Sequence, residues 1–118
     1  MELHSQIVWS FEGKIIDHEK FFKLVEKIKA SSYSEVGSIV NWWSINRDKD
    51  YFHLLEILAD AEGAMTHLDT LAKVNDDLCE AVEISQFTLH SDVPQYLDDA
   101  IAKFKPTYMR YYGGWSKL

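Results

Sequence analysis

The run from Tyr51 to Leu68, YFHLLEILADAEGAMTHL, passes from a strand pattern into a helix pattern with two residues between them. Aromatic and aliphatic residues from Tyr51 to Leu58, broken only by His53 and Glu56, read as a strand. Asp60 then supplies an N-cap, Glu62 sits in the first turn, and Ala64, Met65, Leu68, Leu71 and Ala72 recur at helical spacing. Glu56 and His67 are thereby held close to buried surface, where a polar group has to be satisfied or put to use.

The same succession occurs a second time. From Gln6 to Glu12, Ile7, Trp9 and Phe11 alternate with Val8, Ser10 and Glu12, which predicts a first strand with Gly13 just past its end. Asp17 caps a helix whose Phe21, Leu24, Val25 and Ile28 share one face, ending around Ser31-Ser32. Gly37 opens SIVNWWSI, where Ile39, Asn41, Trp43 and Ile45 lie opposite Val40, Trp42 and Ser44. The polar group from Asn46 to Asp50 joins this strand to the next as a hairpin. The second helix is expected to end near Asn75-Asp76, and Ala81 to His90 to form a fourth strand, with Val82, Ile84 and Gln86 opposite Glu83, Ser85 and Phe87. The order β-α-β-β-α-β specifies an α+β ferredoxin-like plait, one sheet face covered by both helices. Large apolar side chains on both faces then call for a second copy over the bare face.

Beyond this core, about residues 4–91, an extension runs over about 92–116 in the same single domain of 118 residues. Asp92-Val93-Pro94-Gln95 reads as a capping box for a short third helix. TYMRYYGGW then reads as a fifth strand, paired with its own sheet edge or crossing to a partner. The formal charge of −7 and the lack of basic runs argue against nucleic acid. No apolar run approaches the ~20 residues of a membrane span, and no secretory leader pattern is visible, so a cytoplasmic location is the expectation. A lone Cys79 excludes an internal disulfide and any zinc site built on paired cysteines. His53 and Glu56, three apart on a strand, point to opposite faces and cannot share a metal. No cofactor and no metal are expected, since neither a phosphate-binding glycine loop nor a ligand spacing of known type is present.

Gly37, the strand Leu54-Leu55-Glu56-Ile57-Leu58, the turn Ala59-Asp60-Ala61-Glu62-Gly63-Ala64 and His67-Leu68 together resemble the antibiotic-biosynthesis monooxygenase family of the dimeric α/β-barrel superfamily. The resemblance implies a homodimer whose sheets pack face to face, with a small-molecule cavity between sheet and helices in each subunit. It implies a cofactor-independent monooxygenase or related enzyme acting on a quinol or polyketide-like aromatic, or a non-catalytic binder on the same scaffold. The haem-degrading branch is disfavoured: Leu58 stands where that branch has a tryptophan, and a histidine in the second half of the second helix is missing.

The catalytic candidates are His67, Asn41 and Glu56. His67 borders the buried stripe of its helix and reads either as a base or donor orienting an acidic phenol, or as a tie between helix and sheet. Glu56 reads as an acid/base with raised pKa or as the partner of Arg47, Arg110 or a lysine across the dimer. Trp42, Trp43 and Tyr108 are candidate walls for a small aromatic ligand, and Arg110 a candidate for its carboxylate or phenolate. The alternative for the aromatics is interface core, and for Arg110 a cross-chain salt bridge.

Overall fold

The computed structural model describes residues 3–117. Strand β1 (Ile7–Ile15) leads to α1 (His18–Tyr33), the hairpin of β2 (Ser38–Ile45) and β3 (Tyr51–Leu58), and α2 (Ala61–Ala72). The short α3 (Asn75–Ala81), β4 (Val82–Leu89), α4 (Gln95–Ile101) and a two-residue β5 (Thr107–Tyr108) follow. The sheet order is β2-β3-β1-β4-β5. The first four strands are antiparallel, and β5 lies parallel to β4. This is the α+β ferredoxin-like plait with a C-terminal helix and strand added.

Local chemistry fixes where the helices start. Asp17 accepts the Lys20 N–H at 3.0 Å and Asp60 accepts the Gly63 N–H at 2.8 Å, each satisfying a donor that the first turn leaves open. Along β3 the period of two buries Phe52, Leu54, Glu56 and Leu58 under the helices and turns Tyr51, His53, Leu55 and Ile57 to the other face. Gly37 and Gly63 bring the start of β2 against the first turn of α2. A Cβ on Gly37 would stand 2.7 Å from the Gly63 Cα, so a side chain there would push α2 off the sheet.

The core has two lobes. Ile15, Phe21, Leu24, Ile28, Phe52 and Leu54 gather under α1 and α3, while Ile7, Trp9, Leu58, Phe87, Leu89 and Leu97 gather under α2 and α4. Phe11 packs against both lobes and stacks on Phe87 with ring centroids 4.3 Å apart.

Five local expectations give way. The second helix stops at Ala72, because Lys73 caps it and the chain restarts as α3, docked on α1 by a Lys20–Glu80 ion pair. The β4 alternation is broken by a bulge. The register steps from Glu12↔Gln86 to Gly13↔Ile84, so Ser85 falls out of step and Phe87 joins Val82 and Ile84 on the covered face. Gly13 permits this approach, since a Cβ there would stand 2.1 Å from the Glu83 carbonyl oxygen, and β1 runs through it to Ile15. Pro94, not Asp92, occupies the N-cap of α4 and offers no side-chain acceptor. In the tail only Thr107 and Tyr108 pair, on the chain's own β4 edge, with the Met109 N–H donating to the Leu89 carbonyl at 2.7 Å.

The uncovered sheet face is apolar over one end only. Val8, Val40, Trp42, Leu55 and Ile57 lie together there, whereas Ser10, Glu12, Ser44, Tyr51, His53, Gln86 and Thr88 occupy the remainder. Tyr51 donates to Glu12 at 3.0 Å and lies 2.8 Å from the Ser85 hydroxyl, and Ser10 lies 3.2 Å from His90 Nε2.

Candidate active site

Between the two lobes lies a cavity of about 650 Å³. Its sheet wall is Phe11, Trp43, Phe52 and Leu54, and its helix wall includes Met65, Leu68, Leu71, Leu78 and Ala100. Asp69, Asn75, Cys79 and Lys103 are the polar residues that line it. The volume and the apolar walls suit a small flat molecule.

Directly behind this wall is a buried charged network. Glu56 is fully buried on β3, at the register position facing Asn41 of β2 on one side and Trp9 of β1 on the other. Its carboxylate accepts from the Trp9 indole and from the Asn41 amide, each at 3.0 Å. His67, also fully buried, reaches down from α2 and sets Nε2 2.6 Å from Glu56 Oε2. That contact is an ion pair out of line with the N–H, not an aligned hydrogen bond. On its other side Nδ1 donates to Glu35, 3.0 Å from Oε2, and Glu35 also accepts from the Thr70 hydroxyl at 3.2 Å.

Burial alone would lower the His67 pKa, but Glu56 and then Glu35 outweigh it, and the pKa is raised to about 9. His67 is therefore an imidazolium at neutral pH. Its folded pKa lies above the unfolded value of about 6.5, so the native state holds a proton that the unfolded state has released between these two values. This contribution to stability is complete below about pH 6.5 and disappears as the pH rises through 9. Urea unfolding from pH 6 to 10 is expected to show a decline of about 3 kcal/mol, at ~1.4 kcal/mol per pKa unit. A flat profile across that window would contradict the assignment.

The network reaches the cavity through one side chain. The Trp43 indole N–H donates to Asn41 Oδ1 at 2.7 Å, so the carboxylate that orients the Asn41 amide also sets the Trp43 ring. Neither Glu56 nor His67 lines the cavity itself. Chemically the network positions an aromatic wall, and the groups able to exchange protons with a ligand are Asp69, Lys103 and Cys79.

No family model matches the sequence, and a search of curated proteins finds no match. Solved structures do match. MupZ from Pseudomonas fluorescens superposes with a TM-score of 0.86 at 19% identity, over 99% of this chain and 93% of MupZ. SnoaB from Streptomyces nogalater, a cofactor-independent oxygenase, gives a TM-score of 0.65 at 10% identity, over 76% of this chain and 95% of SnoaB. A protein from Bacteroides thetaiotaomicron, described as an antibiotic biosynthesis monooxygenase by assignment, gives 0.59 at 24% identity, over 76% of this chain and 90% of its own. The chain has the antibiotic-biosynthesis-monooxygenase-like fold.

Within this monooxygenase-like fold the residues singled out from the sequence separate into three groups. His67, Asn41 and Glu56 converge in one network, and Trp43 joins it to the cavity. Trp42, its neighbour in β2, faces the opposite side of the sheet and is 63% exposed. Tyr108 and Arg110 lie outside the cavity: Tyr108 donates to Asp98 at 2.6 Å, and Arg110 sits 3.4 Å from Asp92 on the surface. The partner of Glu56 is accordingly His67, neither Arg47 nor Arg110. With α2 ending at Ala72, His67 falls in its second half after all, but both ring nitrogens face carboxylates and neither is placed to ligate a haem iron. Among the described residues no group of three or more His, Cys, Asp or Glu is placed to hold a metal ion, and no helix is long and apolar enough to cross a membrane.

Nothing in the sequence marks Glu35 or Lys103, and Trp9 reads there only as part of the apolar face of the first strand. Glu35 stands in the α1–β2 connection, where a carboxylate is ordinary, and only the fold brings it to His67. Asp69 follows the apolar Leu68 on α2, and its place at the flank of the stripe was the available hint.

Proposed function

We propose that this protein is a small-molecule enzyme that oxidises a quinol or polyketide-like aromatic with molecular oxygen and without a bound cofactor, working as a homodimer. The observation that carries the reading is the 650 Å³ cavity, walled by Phe11, Trp43 and Phe52, with a carboxylate and an ammonium group among its few polar residues. A flat substrate lies against the aromatic wall, Asp69 takes the phenolic proton, and Lys103 holds the resulting negative charge. The substrate anion is then the reductant: in a polyketide-like ring that carries a methylene group, that carbon gives up its two hydrogens and takes one oxygen atom of O2 as its carbonyl oxygen, and the second oxygen atom leaves with the two hydrogens as water. His67, Glu56 and Asn41 act at one remove by fixing Trp43. The description of SnoaB as a cofactor-independent oxygenase supports the same reading. The apolar end of the open sheet face, around Trp42, Leu55 and Ile57, supports a second copy as its cover.

One observation favours binding without turnover: the imidazole and carboxylate of the network are sealed from the cavity. An oxygen electrode decides between the two readings. With a panel of quinols and hydroxylated polycyclic aromatics, the enzyme reading gives protein-dependent oxygen uptake over many turnovers. Tight binding of the same compounds with uptake no faster than in buffer would make the protein a carrier.

A further inference from the structure

The cavity has two unlike ends. Its floor crosses the sheet: Trp43, Leu54 and Phe11 stand on one rung of β2, β3 and β1, and Ile84 adds β4. Three strand spacings of about 4.8 Å make this floor roughly 14 Å long. The mouth is formed by the lining residues that reach solvent, among them Ile84 and Phe104 at 42% and 38% exposure. Asp69, Cys79 and Lys103, the lining groups that can take or hold a proton, all belong to this exposed set. At the β2 end Ile28, Phe52 and Leu54 are buried, and Phe21 packs its ring edge-on to Trp43 at 6.0 Å. The Trp43 indole N–H, the polar side-chain atom among the lining residues of that end, is already donated to Asn41. A polar ligand group there would lose water and find no hydrogen bond, so what fills the β2 end is hydrocarbon.

We infer that the substrate of this cavity is one-ended: a hydroxylated ring with an alkyl tail, bound tail first, so that the chain fills the β2 end and the ring stays at the mouth with Asp69 and Lys103. The inference rests on the enzyme reading given above and narrows its substrate. The two kinds of wall then have separate tasks. Phe11, stacked on Phe87 toward β4, meets the ring, and Ile28 and Leu54 meet the chain. A ring system oxygenated at both ends is excluded by the same argument, since its inner hydroxyl would be buried without a partner.

The test is calorimetric titration under nitrogen with hydroquinones that carry methyl, propyl or hexyl chains, and with the hexyl chain ended in a hydroxyl group. On the natural chain, affinity is expected to rise about fourfold per added methylene, the worth of one CH2 taken out of water. The terminal hydroxyl is expected to weaken hexyl binding at least tenfold. Ile28→Phe, which fills the β2 end, is expected to weaken the hexyl compound at least tenfold and to leave the methyl compound unaffected. The comparisons on the natural chain stand whether or not this variant folds. Equal affinity for the methyl and hexyl compounds, or for the hexyl compound with and without its terminal hydroxyl, would put the chain in solvent. That result would overturn the buried tail and leave the cavity as the site of the ring. A hexyl preference undiminished in folded Ile28→Phe would place the tail elsewhere on the protein and overturn the inference too. Failure of every compound to bind would overturn the enzyme reading of the cavity together with the tail.

Discussion

His67→Ala is expected to cost about 3–5 kcal/mol of folding stability, the loss found when one partner of a buried ion pair is removed. The size follows from what remains. Without the imidazolium, Glu56 and Glu35 are two carboxylates in a buried space with no cation, and Glu56 keeps only the Trp9 and Asn41 donors. Urea unfolding at pH 7 measures the loss, and the variant should also lack the decline between pH 6.5 and 9. Glu35→Gln should cost less, because Glu35 lies at the rim of the network with a side chain 9% exposed, and an amide there can still accept from His67 and Thr70. A loss below about 1 kcal/mol for His67→Ala, the range of a single neutral hydrogen bond, would mean that water reaches both carboxylates. The tie between helix and sheet that His67 suggested from its spacing is thus also the element that orders the cavity wall, through Asn41 and Trp43.

The plait was legible because its signals are local and redundant. Asp17 and Asp60 cap helices through their own side chains, and the alternation of Ile7, Trp9 and Phe11 or of Phe52, Leu54 and Leu58 survives any tertiary adjustment. The β4 bulge was not legible. It depends on Gly13 of another strand approaching the Glu83 carbonyl, and a one-residue slip then inverts the assignment of Phe87. The break between α2 and α3 has the same character, since it is set by Val74 and Ala81 packing into the lobe under α1, while propensity alone would carry the helix on.

For the site, Glu56 and His67 stood out as polar residues inside apolar patterns, and Asn41 as a polar residue between aliphatic and aromatic ones. Their convergence follows from register. Asn41, Glu56 and Trp9 occupy one rung across β2, β3 and β1, and a register shift between Ser38 and Val40 sets which β2 residue stands there. Trp42 and Trp43 illustrate the limit: adjacent in sequence and alike in chemistry, they lie on opposite faces, one lining the cavity and one on the face left open. Among the cavity's polar groups Lys103 was invisible, because it belongs to the turn after α4, whose position against α2 is a matter of packing.

The central claim is that the helix–sheet cavity is where a flat aromatic ligand binds. Ala100 lines it from α4, opposite the aromatic sheet wall, and a phenylalanine there would extend into empty space. Calorimetric titration with a naphthohydroquinone under nitrogen, on the natural chain and on Ala100→Phe, measures the claim directly. The natural chain is expected to bind, and Ala100→Phe to bind at least tenfold more weakly, about 1.4 kcal/mol or more, with an unchanged melting temperature. Equal affinity in the two proteins would place the ligand elsewhere and contradict the account.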